Sequence, residues 1–319
     1  MKTLFAALLA LQLHADCVRK SVFWRSQGRV CGQKSLRRLR QRYTPIAAGF
    51  TAQVYDCVWE GRPAVLKYME FGQRVRPQDV MREMETMEAV QGHAAIPLVF
   101  ACFIGSREGG IILEKLGPSL LELKESFARL RLSQRLTAYI ELGKGVKHVL
   151  QRGFCNNDIK PDNMLLQDTR FKLIDFGRSC RLGDPCVVSF KLFSAPETFL
   201  RQDRVFICQP SVDVWTFLQS LAMMETTPPG FQLFMQLPGP CRHERSADCL
   251  RQMFESFARQ TAPDAGPLMA LVTWLMRLPL KERAQMDVVL SELRELRAKV
   301  RAPRRLSAAT FPGGGLRRV

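Results

Sequence analysis

None of the ten cysteines in this 319-residue chain stands in a Cys-x-x-Cys pair. Structural zinc sites are usually built on such pairs, so the scatter of Cys17, Cys31, Cys57, Cys102, Cys155, Cys180, Cys186, Cys208, Cys241 and Cys249 argues against one. Most of these cysteines read as small buried hydrophobes. No apolar stretch approaches the ~20 residues a helix needs to cross a bilayer. Internal repeats are missing, and no nucleic-acid recognition motif accompanies the basic residues.

Acidic residues are nearly absent from the two ends. Residues 1–43 hold ten Lys/Arg against one acid, Asp16, and residues 297–319 hold seven Lys/Arg and no acid. Of the 47 basic and 30 acidic residues in the whole chain, that leaves 30 against 29 for the stretch 44–296. The net charge of +17 therefore belongs to the ends, and the middle is close to neutral. Charged ends of this kind read as solvated extensions. The run Lys34–Arg42 also has the composition of a nuclear-import signal or of a segment that binds an anionic partner. Arg304-Arg305-Leu306-Ser307 offers Ser307 as a modification target. A hydrophobic content of 46% with 9% aromatic residues suits a folded globule, large enough for one two-lobed domain or two small ones.

The first residues admit three readings. An apolar stretch from Leu4 to Leu13 follows Lys2, and cleavage after Ala15 would make residues 1–15 a secretory signal peptide. An Arg-rich, nearly acid-free start also fits a mitochondrial presequence, and an apolar helix could instead dock on the domain that follows. Cytoplasm or nucleus is the first expectation, with the secretory pathway as the alternative if residues 1–15 are cleaved.

Residues 155–177 carry the chemistry. Asp158 is followed by Lys160 and then by Asn163, and two apolar runs, Met164–Leu166 and Phe171–Ile174, lead to Asp175-Phe176-Gly177. The pattern resembles the catalytic loop and the metal-binding Asp-Phe-Gly element of the protein kinases, where moving a phosphoryl group needs a carboxylate to orient the attacking hydroxyl, a cation on the transferred group and hard oxygen ligands for Mg²⁺. Asp158, Lys160 and the pair Asn163 and Asp175 have those chemistries in that order.

Other strings fall at matching intervals. Ala64-Val65-Leu66-Lys67 ends an apolar strand, and Pro77–Gln91 has the helical period, with Val80, Met84, Met87 and Val90 on one face. Ile111–Gly117 reads as a strand running into a connection, with Leu113 preceding Glu114. Ser194-Ala195-Pro196-Glu197, Ser211-Val212-Asp213-Val214-Trp215 and Arg283 come later. Together these strings resemble the catalytic domain of the eukaryotic-type protein kinases, over roughly residues 43–298.

The resemblance implies an α+β fold of two lobes, with ATP in the cleft between them. The small lobe, 43–114, would be an antiparallel sheet with one helix, and the large lobe, 117–298, mainly helical. Residues 1–42 would form a basic extension with an apolar start, and 299–319 a basic tail. Lys67 and Gly49 would hold the phosphates of ATP, and a helical glutamate, Glu83 or as runner-up Glu85, would orient Lys67. Ile46, Val54, Val65 and the connection Glu114–Leu116 would enclose adenine and ribose. Asn163 and Asp175 would ligate Mg²⁺, Asp158 would take the substrate proton, and Lys160 would stabilise the transferring group. Lys160-Pro161 resembles the Ser/Thr class, so the implied partner is a protein substrate and the implied reaction is transfer to Ser/Thr.

The sequence also departs from that family. Of the glycine-rich loop only Gly49 remains in Ile46–Val54. Asn156-Asn157 stand where His-Arg precedes the catalytic aspartate, which removes the cationic socket for a phosphorylated activation segment. That segment, Asp175 to Glu197, is short, and its expected threonine position falls on Phe190 beside Ser189. Leu218 replaces a glycine after Trp215. These departures keep a pseudokinase scaffold open as the alternative; a kinase for small molecules, which can share the Asp-x-x-x-x-Asn and Asp-x-Gly pattern, is a third reading, opposed by Ala195-Pro196-Glu197 and Asp213-x-Trp215. Cys155, Cys180 and Cys186 lie in or beside the segments implied to work, where they could be redox-sensitive.

Overall fold

The structure, a computed structural model, describes residues 22–24, 45–49, 51–187, 195, 198, 205–226, 266–276 and 283–301. Its N-terminal part is an antiparallel sheet of β1 (Val22–Trp24), β2 (Pro45–Ala48), β3 (Gln53–Trp59), β4 (Arg62–Glu70), β5 (Val99–Ile104) and β6 (Glu108–Glu114). The spatial order is β1-β5-β6-β4-β3-β2. β1 comes from the segment read from sequence as an extension. It pairs Val22 with Ile104 and Trp24 with Cys102, covering an edge of β5 whose backbone groups would otherwise lack a neighbour strand.

Alternation along the strands gives the sheet two buried faces. Tyr55, Cys57, Ala64, Leu66 and Tyr68 pack with Ala101, Phe103 and Ile112 on one side. On the other, Met69, Cys102, Ile104 and Ile111 meet α1 (Pro77–Ala89) through Val80 and Met84. The helix starts at Pro77, where a missing N–H costs nothing, and Asp79 accepts from the Arg76 backbone to close its first turn.

Helices dominate the rest: α2 (Lys124–Ala128), α3 (Leu132–Gln151), α4 (Pro210–Glu225), α5 (Gly266–Met276) and α6 (Met286–Arg301). Short strand pairs lie among them, β7 (Phe154–Cys155) with β10 (Cys180–Arg181), β8 (Met164–Gln167) with β9 (Arg170–Leu173), and β11 (Pro185–Val187) with β12 (Val205–Ile207). α4 is buried at every position from Val212 to Met224, so it is a central helix with no solvent face. One apolar core runs through this part and takes in Met87, Val90 and Ile96 from the end of α1 and the turn after it. This is the two-lobed α+β arrangement expected.

That turn packs tightly on α3. A Cβ on Gly145 would lie 2.6 Å from the Cβ of Ala95. Gly145→Ala should therefore destabilise by about 1–3 kcal/mol through overpacking, although the same change in an open helix gains about 1 kcal/mol. Adding Ala95→Gly should recover part of the loss in a denaturant-unfolding cycle, and additivity of the two changes would show that the contact is not the cause.

Candidate active site

β4 pairs with β3 so that Val54 lies opposite Lys67 and Asp56 opposite Val65. Val54, Val65 and Lys67 thus share one face of the sheet, while their neighbours Tyr55, Leu66 and Tyr68 are buried on the other. β2 continues past Val54 with a bulge at Ile46, which is 55% exposed. Gly49 closes the turn to β3 by donating its N–H to Ala52 O at 2.8 Å. A Cβ there would meet only Ala52 O, at 3.5 Å, so no contact within the chain demands a glycine at this position.

Lys67 Nζ donates to Glu83 Oε1 at 2.6 Å and to Asp175 Oδ1 at 2.9 Å. Burial by itself would lower the lysine, but the two carboxylates outweigh it and hold the ammonium above its ordinary value. Burial also works to raise Asp175, and Lys67 reverses the effect, holding that carboxyl down at about 2. Burial raises the Glu83 carboxyl, with Lys67 pulling against it. Glu85 is exposed on the far side of α1 and takes no part in this cluster.

Asp158 is buried, and its Oδ2 accepts from Lys160 Nζ at 2.9 Å and from Asn163 Nδ2 at 3.1 Å. Asn163 Nδ2 also donates to Asp158 O at 2.8 Å, which leaves the Asn163 Oδ1 as an acceptor. Arg178 Nε lies 4.0 Å from the same Asp158 oxygen. Asp175 is 39% exposed at its side chain and has φ 60, a left-handed conformation of the kind that gathers at functional sites. Asp175 and Asn163 together offer a carboxylate and an amide oxygen, hard donors that fit Mg²⁺.

The loop before Asp158 is hung from α4. Asp213, fully buried in the first turn of that helix, accepts from Asn156 N at 2.6 Å and Asn157 N at 2.9 Å. Asn156, 1% exposed, donates through Nδ2 to Asp175 O at 3.2 Å and accepts from Asp158 N at 3.0 Å. Standing where the family has His, it makes hydrogen bonds that join both halves of the site. Sequence reasoning aligned Asp213 but gave it no task. An acid among Val212, Val214, Trp215, Phe217 and Leu218 is the available signal.

Glu114 is placed differently from a cleft-facing residue. Its carboxylate accepts from Leu98 N at 2.7 Å and Gln167 Nε2 at 2.9 Å and pairs with Lys172. Only its backbone remains to meet a nucleotide. Leu116 is half-buried and Gly117 donates to Leu166 O at 2.7 Å, bringing the connection onto β8. Arg283 donates to Ser211 O at 2.9 Å and lies over the Trp215 ring, 4.8 Å from its centroid. Glu197 lies outside the described residues, as do Pro196, Ser189 and Phe190. Residues 1–21, 25–44 and 302–319, including both basic ends and Ser307, also lie outside them.

The family model described as the protein kinase domain matches residues 41–292. The chain belongs to the protein kinase family. Among curated relatives, the serine/threonine-protein kinase CLA4 of Candida albicans is 28% identical over 177 residues, 53% of this chain and 18% of that protein. The serine/threonine-protein kinase shk1/pak1 of Schizosaccharomyces pombe is 26% identical over 212 residues, 63% of this chain and 31% of that protein. Mitogen-activated protein kinase mpkC of Aspergillus terreus is 26% identical over 175 residues, covering 53% and 46%. The matches thus span less than half the length of each of these relatives.

Burial raises the Asp213 carboxyl to about 6, against the pull of its two backbone donors. A folded value above the ordinary 3.8 means that this group adds stability in acid, and that the contribution is lost as pH rises through about 6. Asp213→Asn places an amide NH₂ where one backbone N–H needs an acceptor. It should cost about 1–3 kcal/mol at neutral pH and flatten the stability change between pH 4 and 6, as read by urea unfolding across that range.

Proposed function

We propose that this protein kinase domain transfers the γ-phosphoryl group of ATP to serine or threonine hydroxyls of protein substrates. The observation that carries the reading is the buried Asp158 carboxylate. It is held by Lys160 and Asn163 in the same loop whose neighbour, Asn156, is bonded to Asp175.

Mg·ATP, when bound, would supply the phosphoryl group and a divalent charge that withdraws electrons from it. Asp175 and Asn163 Oδ1 would hold the cation, and Lys67, kept charged and aimed by Glu83, would meet the phosphates. Gly49 would bring backbone N–H groups to them. Val54 and Val65, with Ile46 and the backbone of Glu114–Leu116, would form the apolar slot for adenine and ribose. Asp158 orients the attacking hydroxyl and accepts its proton, and Lys160 neutralises charge on the moving group. Lys160-Pro161 after Asp158 supports the Ser/Thr assignment over tyrosine.

Among the described residues no helix is long and apolar enough to cross a membrane. Cytoplasm or nucleus is the proposed compartment, with the secretory pathway if residues 1–15 are removed. The basic ends are proposed to meet an anionic partner. A pseudokinase scaffold is the second reading, favoured by the single glycine left in the turn between β2 and β3.

Radiolabel transfer from Mg·ATP to a Ser/Thr peptide and to the chain itself should fall by about 10²-fold or more in Asp158→Asn and in Lys67→Met. Asp158→Asn should keep the rise in melting temperature on adding Mg·ATP. If the unmodified chain shows neither transfer nor that rise, the scaffold reading replaces the enzyme.

A further inference from the structure

The start of the activation segment is tied to the catalytic loop through sulfur. Cys180 on β10 pairs with Cys155 on β7, and Cys186 on β11 pairs with Phe206 on β12. The chain reverses between the two strands at Gly183, with φ 87. The Cα atoms of Cys180 and Cys186 are thereby 6.2 Å apart, a separation that a disulfide spans, and their sulfurs are in contact. Cys155 and Cys208 nearby are buried free thiols, Cys208 lying with its Sγ 3.4 Å from Cys180 O.

Asn157, directly before Asp158, depends on this turn. Its Nδ2 donates to Arg178 O at 3.2 Å and lies 3.7 Å from Cys186 Sγ. Its Oδ1 is buried and finds no partner among the described residues, and its φ is 60. A residue in a sparsely populated conformation with half its amide unsatisfied stays in place only if its surroundings hold it. Both side-chain contacts of Asn157 go to the stretch 178–186, which a Cys180–Cys186 disulfide closes. Asn157 itself, standing where an arginine would receive a phosphate, carries no charge.

We propose that the Cys180–Cys186 disulfide is a reversible thiol switch that, when closed, braces the activation segment against Asn157 and keeps the catalytic loop in its working position. Its effect on turnover rests on the phosphotransfer reading above. Cys180 is half-buried and Cys186 only 2% exposed, so an outside reagent meets Cys180 first. In closing, the Cys180 thiolate attacks a small disulfide of the glutathione type, releasing one small thiol and leaving a mixed disulfide. Cys186, as thiolate, then attacks the Cys180 sulfur, the mixed bond breaks, and the second small thiol leaves and takes a proton. Two protein thiols are oxidised and one small disulfide is reduced to two thiols. Opening is the reverse. The sequence separation of 6 closes only a short loop, so the unfolded chain loses little freedom through the bond. That suits a switch better than a staple.

The full chain is equilibrated in glutathione buffers of graded redox poise, alkylated and mapped with trypsin. The oxidised form should show Ser179–Arg181 linked to Leu182–Lys191, and the link should open within the series. On opening, hydrogen exchange at Asn156–Asp158 should speed up by about tenfold, and peptide phosphorylation should fall several-fold. Cys180→Ser and Cys186→Ser should match the reduced chain in every buffer, while Cys57→Ser should respond as the unmodified chain does. The proposal is overturned by absence of the linked peptide, by a link that survives the most reducing buffer, or by equal exchange in both states. Equal transfer in both states would also sink the switch and leave catalysis standing. If the exchange difference appears while neither state transfers phosphate, the brace stands and the enzymatic reading fails.

Discussion

One ammonium group, that of Lys67, is shared between the carboxylates of Glu83 and Asp175, and most of the site depends on that sharing. The three residues come from a strand, a helix and the loop after β9, so the pair of contacts holds three elements in mutual register. Removing Lys67 would leave a buried Glu83 with no cation to offset its burial, which costs more than the lost attraction alone. The approach is close. A Cβ on Gly177 would sit 3.2 Å from Glu83 Oε2, so glycine keeps the loop near enough for Asp175 to share the lysine.

A second anchor stands on the large-lobe side. Asp213 offers one oxygen each to two consecutive backbone N–H groups, and a buried carboxylate is among the few side chains able to do so. Asn156 then links that anchored loop to Asp175 O. The two anchors are therefore joined by hydrogen bonds running from α4 to β4. The apolar core follows the same division. Met87 of α1 and Val90 just after it belong to the large core, while Val80 and Met84 belong to the cluster under the sheet. One helix is thus clamped by both lobes, and its Glu83 lies within the stretch packed under the sheet.

Much of this was legible because the chemistry is local. Asp158, Lys160 and Asn163 meet within one loop, and the period of Pro77–Gln91 put Val80, Met84 and Met87 on the buried face. The shared face of Val65 and Lys67 follows from strand alternation. What escaped depends on partners distant in sequence. Asn156 stands out in sequence only as a departure from the family's His, because its two bonds depend on where Asp175 O and Asp158 N come to rest. Glu114 was read as a cleft residue, and only the approach of β8 and β9 draws its carboxylate away to Gln167 and Lys172. The strand Val22–Trp24 carries no strong pattern of its own, and it forms because β5 would otherwise be an edge.

The placement of Glu114 has a mechanical meaning. Its carboxylate ties the end of β6 to the start of β5 through Leu98 N, and to the large-lobe hairpin through Gln167 and Lys172. A joint pinned on both sides at the root of the cleft behaves as a pivot. If the lobes rock about it, displacement grows with distance along the sheet. The atoms beside Leu116 then barely move, while β2 and Gly49 sweep the widest arc. In the proposed reading, the adenine end of such a cleft is a fixed bearing, and the phosphate end is the part that opens and shuts.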